Sequence, residues 1–218
     1  MGERDDEESV LHLTFDVIAG IFNSSISMWD DPKIQEINPH LILPHEPISV
    51  VVREDKSGQS VIFTEAIHFN VPGWPNEVVG PLPQWLLNDM APLRDYSPSC
   101  HNNETSITPD QRLHFKADGK KGVALAVLGI PYSIGYIELG YYTELSDFIS
   151  QAHISTKTYP TNFTAATNAS IRKTMDSMSD KLDDNTLRVH LDYEQVTGGS
   201  PITGFAYLQV SQLPTERQ

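Results

Sequence analysis

Pro47-Ile48-Ser49-Val50-Val51-Val52-Arg53-Glu54-Asp55-Lys56-Ser57-Gly58-Gln59-Ser60 is the stretch that decides the fold. Residues 48–53 are β-branched and nearly continuous in apolar character, which suits a strand covered on both faces, as in a parallel sheet. Residues 54–59 break the run, and Val61, Ile62, Ala66 and Ile67 follow as an apolar helical stretch. The reading is strand, tight turn, helix. A helix start leaves backbone N–H groups without partners and carries partial positive charge. Ser57 can cap the helix, Gly58 allows close approach of the backbone, and Ser57 and Ser60 each offer a hydroxyl. Arg53 adds a forked, permanently charged donor, with Asp55 placed to orient it. Ser or Gly at a helix start is in the first place a cap. With Arg53 the same turn also makes a site for a tetrahedral oxyanion. It is neither a Walker A loop nor a nucleophile elbow, because the glycine patterns of both are absent.

Outward from this stretch, strands and helices alternate, and the fold class is α/β. Residues 10–13 read as a strand and Thr14 as the cap of a helix carrying Phe15, Ile18, Ala19 and Phe22. Residues 33–37 read as a short helix, 119–128 as a helix ending at Gly129, and 133–138 as a strand. Residues 164–182 read as a long helix with a stripe at Ile171, Met175, Met178 and Leu182. Leu187, Val189 and Leu191, and the run 202–210, alternate like strands. Residues 70–118, rich in proline, read as loop.

Ordered blocks of this chain resemble the phosphate-binding proteins of bacterial phosphate ABC transporters, a type II periplasmic-binding fold with a mixed sheet flanked by helices. Ala19 to Ile34, with Trp29-Asp30-Asp31-Pro32, is similar to a family block. So are Asn38-Pro39, Leu43-Pro44, the Arg53-to-Ser60 turn, Gly122-Val123-Ala124 with Pro131 to Glu138, and Pro201 to Leu208. The resemblance implies a non-enzymatic solute-binding domain with phosphate contacts from Arg53, Ser57, Gly58, Gln59 and Ser60, and Asp55 holding Arg53. Gln59 departs from the family's Thr, and Lys56 from a small residue. The resemblance also implies an incomplete clamshell over residues 10–213, its N-terminal lobe missing, between an acidic tail (1–9) and a short tail (214–218). A missing lobe or a partner chain would complete the ligand shell. The alternative is an extracellular interaction or receptor module that keeps the fold without the ligand.

Composition narrows the classes further. The 218 residues carry 29 acidic and 15 basic side chains, a net charge of −14, which argues against a nucleic-acid footprint. No apolar run reaches the roughly 18 residues of a membrane span. Cys100 is the single cysteine, so no internal disulfide forms, and the eight histidines lack metal-ligand spacing. No nucleophile–base pair, cofactor or metal is expected. Asn23, Asn103, Asn162 and Asn168 open N-glycosylation triplets, which favours an extracellular or secreted protein, although residues 1–9 are no signal peptide. Asn103 is expected to be the most exposed of the four and Asn23 less so.

Overall fold

A computed structural model describes residues 9–81, 94–95, 113–178 and 198–204. The central strand is β2 (Ser49–Arg53), all five residues of which are buried. It pairs in parallel with β4 (Leu113–Ala117) on one side and β5 (Ser133–Gly135) on the other, and β3 (Arg94–Asp95) extends the sheet beyond β4. The order is β3-β4-β2-β5. Antiparallel pairing enters as two isolated bridges, Met28 with Pro47 and Ile154 with Thr164.

Alternation along β2 sends its valines to two different cores. Val50 and Val52 join a large cluster with α1 (Phe15–Phe22) and α3 (Gly58–Asn70), including Phe22, Phe63, Ala66 and Ile67. Val51 faces the other way, onto Ala117, Val123 and Ala126, the last two on α4 (Gly119–Gly129). Each fully buried valine contributes about 1.5–3 kcal/mol. The helices that follow β2 and β4 therefore cover opposite faces of the sheet.

A second, two-stranded parallel sheet pairs β1 (His12–Thr14) with β6 (His153–Ser155). Thr14 caps α1, its hydroxyl accepting the Val17 N–H at 3.3 Å. Asp31 caps α2 (Pro32–Ile37), with proline in the first turn where no donor is lost. Asn38, fully buried, takes the His12 N–H at 2.7 Å and donates to the His12 and Ile34 carbonyls. Trp29 is buried and donates from its indole to the Tyr132 carbonyl at 2.9 Å, binding the loop before α2 to the start of β5.

Several expectations shift. Residues 113–117 are a strand, not loop; Leu113, Phe115 and Ala117 alternate with His114 and Lys116 at the strand period. The strand expected over 133–138 stops at Gly135, and a short helix α5 (Leu139–Leu145) follows. The long helix begins later, as α6 (Asn168–Met178), because Thr167 and Ser170 cap it reciprocally. Its buried face is Ser170, Thr174 and Met178 rather than Ile171 and Met175. Polar residues face inward there because residues 198–204 satisfy them: Thr174 donates to the Ser200 carbonyl, and the Ser170 carbonyl accepts the Ser200 N–H. Residues 202–204 carry no strand. Residues 1–8, Trp85, Cys100, Leu182, the 187–191 run and 205–218 lie outside the described residues.

Gly135 sits where β5 meets both β2 and α4. A Cβ there would lie 3.1 Å from the Val51 carbonyl oxygen and from a Val123 methyl, and 3.2 Å from Val127. Gly135→Val is expected to lower stability by about 1–3 kcal/mol through overpacking. A urea unfolding midpoint equal to that of the wild type would contradict this packing.

Candidate anion site at the carboxyl edge of the sheet

Parallel strands that send their following helices to opposite faces leave a crevice outside their carboxyl ends. β2 and β4 are arranged in this way, and Arg53, the last residue of β2, stands at that carboxyl edge. Arg53 is 8 % exposed, so its charge is taken largely out of water. Burying a guanidinium this far requires a partner. Asp55 supplies it, accepting from Nε at 2.7 Å and from Nη2 at 2.5 Å. The same carboxylate accepts the Gly119 N–H at 2.9 Å, at the first residue of α4. Gly119 has φ +64°, a conformation that glycine adopts at little cost. One carboxylate thus links the end of β2 to the start of α4.

The start of α3 forms the other wall. Ser57 accepts the Gln59 N–H at 3.1 Å as the helix cap. The Ser57 N–H donates to the Pro81 carbonyl at 3.0 Å, and the Gly80 N–H donates to the Thr64 hydroxyl at 3.1 Å. Residues 80–81 therefore strap the first turns of α3. The amides of Gly58 and Ser60 are among the first-turn groups for which helix geometry provides no acceptor within the helix. A Cβ built on Gly58 meets nothing within 4 Å, so the space beside that backbone is open. Gln59 reaches across the crevice, its Oε1 accepting from Arg53 Nη1 at 2.6 Å.

The structure brings Arg53, Asp55, Ser57, Gly58 and Gln59 together. Ser60 is fully buried, and its hydroxyl shares a 2.7 Å hydrogen bond with Tyr136, leaving its backbone amide as the group on the helix start. Lys56 is exposed. Tyr136 was not among the sequence candidates. It stacks on Phe63 at 4.5 Å, and burial pushes its phenol pKa up against hydrogen bonds from Ser60 and the Arg53 backbone. It stands next after Gly135, the last residue of β5, which pairs with Val51 of β2. The Gly119 contribution was also missed, although Asp118-Gly119 opening a helix marks a turn.

Charges around the crevice largely cancel. Arg53 faces Asp55, Lys116 pairs with Glu54 at 2.9 Å and Lys120 with Glu138 at 2.7 Å. Attraction for an anion therefore rests on aimed N–H groups more than on net charge. The guanidinium holds the Asp55 carboxyl at about 2, against the opposing effect of burial and aided by the Gly119 N–H. Asp55 in turn raises the Arg53 pKa.

A separate cleft of about 410 Å³ is lined by Asp16, Gly20, Lys33 and Trp74, beside the other end of α3. A 13-residue helix puts that end about 20 Å from Arg53. Among the described residues no group of three or more His, Cys, Asp or Glu is placed to hold a metal ion, and no helix is long and apolar enough to cross a membrane. Asn162 and Asn168 are exposed. Asn23 is exposed too, contrary to expectation, because it stands at the α1 terminus and turns outward to accept the Ser25 N–H. Asn103 lies outside the described residues.

The model of the PBP superfamily domain matches residues 2–207. The phosphate-binding protein PstS of Methanocaldococcus jannaschii is 31 % identical over 140 residues, 63 % of this chain and 31 % of that protein. PstS of Haemophilus influenzae is 30 % identical over 132 residues, 60 % of this chain and 32 % of that protein. PstS 2 of Mycobacterium tuberculosis is 50 % identical over 52 residues, 24 % of this chain and 14 % of that protein. Aligned regions thus span about a third or less of these curated relatives. Among solved structures, a candidate phosphate ABC transporter substrate-binding protein from Clostridium perfringens, with bound phosphate, superposes with a TM-score of 0.39 at 22 % identity, covering 67 % of this chain and 40 % of that one.

The Arg53–Asp55 pair makes a pH signature. Because the folded state favours the carboxylate, Asp55 contributes its full stability above the ordinary carboxyl pKa of 3.8 and loses it as pH falls toward about 2. Wild type is expected to exceed Asp55→Asn in stability near neutrality, and the difference to shrink between about pH 4 and pH 2. Chemical denaturation across that range reads it; a gap independent of pH would show that the pair does not carry the effect.

Proposed function

The chain belongs to the PBP superfamily, and from that premise we propose that it is a non-enzymatic solute-binding domain that captures an oxyanion, phosphate by class, in the crevice at Arg53. The observation that carries this reading is the buried Arg53, fixed at Nε and Nη2 by Asp55 and bonded to Gln59 in the first turn of α3. A tetrahedral anion suits the arrangement because its oxygens can accept at once from a guanidinium N–H, the Ser57 hydroxyl and the Gly58 and Ser60 amides, the Gln59 N–H being held by Ser57. The relatives named phosphate-binding proteins support phosphate as the anion.

These groups form one wall. In this reading further donors face them from outside the described residues, in a second lobe or a partner chain, and ligand capture closes the two together. The same reading places the domain outside the cytoplasmic membrane, where the exposed Asn23, Asn162 and Asn168 are open to glycan in a eukaryotic secretory route. A mass shift reversed by glycosidase after secretion from a eukaryotic host is the expected result, and an unshifted mass counts against it.

Phosphate is expected to raise the melting temperature of this chain beyond what chloride of equal ionic strength does, and Arg53→Ala to remove that excess. Loss of one charge-assisted bond, about 1.5–3 kcal/mol, corresponds to a roughly 10- to 100-fold weaker dissociation constant. With one wall present, the wild-type constant is expected near millimolar or weaker. Equal phosphate binding by wild type and Arg53→Ala would overturn the assignment of the site. A submicromolar constant for the monomer would overturn the second wall.

A further inference from the structure

Resting on the reading of Arg53 as the anion's arginine, we propose that Gln59 is an internal competitor for that anion, a side-chain latch on the arginine N–H that an oxyanion would take. Asp55 takes Nε and Nη2 of the guanidinium, which leaves the Nη1 edge for a ligand. Gln59 Oε1 accepts from Nη1 at 2.6 Å and so takes one of the N–H groups that remain there. The orientation of the amide is forced, because arginine has no acceptor and only the carbonyl end of glutamine can face it. The same residue's backbone N–H is held by the Ser57 hydroxyl. Gln59 therefore engages, with its own two ends, both the arginine and the helix cap that an oxyanion would use.

The latch carries its own means of release. Gln59 Nε2 is enclosed from solvent and has no hydrogen-bond partner. An enclosed, unpaired donor is costly, and that cost offsets part of what the Arg53 bond contributes. When an anion oxygen takes Nη1, the amide can turn outward on its three side-chain torsions and hydrate both of its ends. The latch thus weakens binding without preventing it, raising the concentration at which the anion half-fills the site.

An NMR-detected titration of inorganic phosphate into the chain tests this with Gln59→Ala, Gln59→Glu and Arg53→Ala, each first shown to be folded by its melting transition. Gln59→Ala is expected to bind phosphate about tenfold more tightly than wild type, and Gln59→Glu at least tenfold more weakly, since a carboxylate on Nη1 is a stronger competitor. If Gln59→Ala binds no more tightly than wild type while Arg53→Ala loses binding, the latch is overturned and the site reading stands. If Arg53→Ala binds like wild type, the site reading falls and the latch with it.

Discussion

The bidentate pair between Arg53 and Asp55 is the constraint on which the carboxyl edge of this fold depends. A guanidinium at the end of a fully buried strand has to be matched by an acceptor, and the acceptor two residues later has to turn back toward it. That return shapes the turn, brings Ser57 to the cap of α3 and leaves Asp55 facing the first amide of α4. Removing one member would strand the other in a poorly hydrated place, which costs more than the pair itself contributes. Neutralisation within the pair also means that the crevice attracts by direction rather than by bulk charge, as befits a chain of net charge −14.

Much of this was legible in the sequence. An unbroken β-branched run predicts burial on both faces, and β2 is buried along its whole length. Thr14 and Ser57 cap their helices as short polar side chains before apolar periods do. The orientation of Asp55 toward Arg53 follows from their separation by a single residue at a turn. What the sequence hid was mostly non-local. Gly119 meets Asp55 from 64 residues away, and Tyr136 meets Ser60 from 76. No local period encodes such meetings. β4 was hidden differently, since its short alternation is flanked by proline-rich sequence and its identity is set by pairing with β2.

The inward face of α6 makes the same point about energetics. Periodicity assigns helix faces by hydrophobicity, so Ile171 and Met175 were expected inside. Burial went instead to Ser170 and Thr174: the Thr174 hydroxyl and the Ser170 carbonyl find partners at Ser200, and the Ser170 hydroxyl at the Ala165 carbonyl. A polar stripe can be interior when neighbouring segments supply the bonds it lost to water, and hydropathy alone does not report those segments.

Asn38 has a bearing on how the molecule behaves in a crowd. A two-stranded ribbon such as β1–β6 leaves a row of unpaired groups that another polypeptide can extend by adding a strand. The Asn38 side chain, accepting from the His12 N–H and donating to its carbonyl, reproduces in one amide the pair of bonds an intruding strand would make. Because it also donates to the Ile34 carbonyl, it is fixed to α2 and not easily displaced. Among the described residues a single amide thus closes the outer edge of β1 at His12, while Thr164 bridges Ile154 on β6, so neighbouring molecules find both strands already engaged.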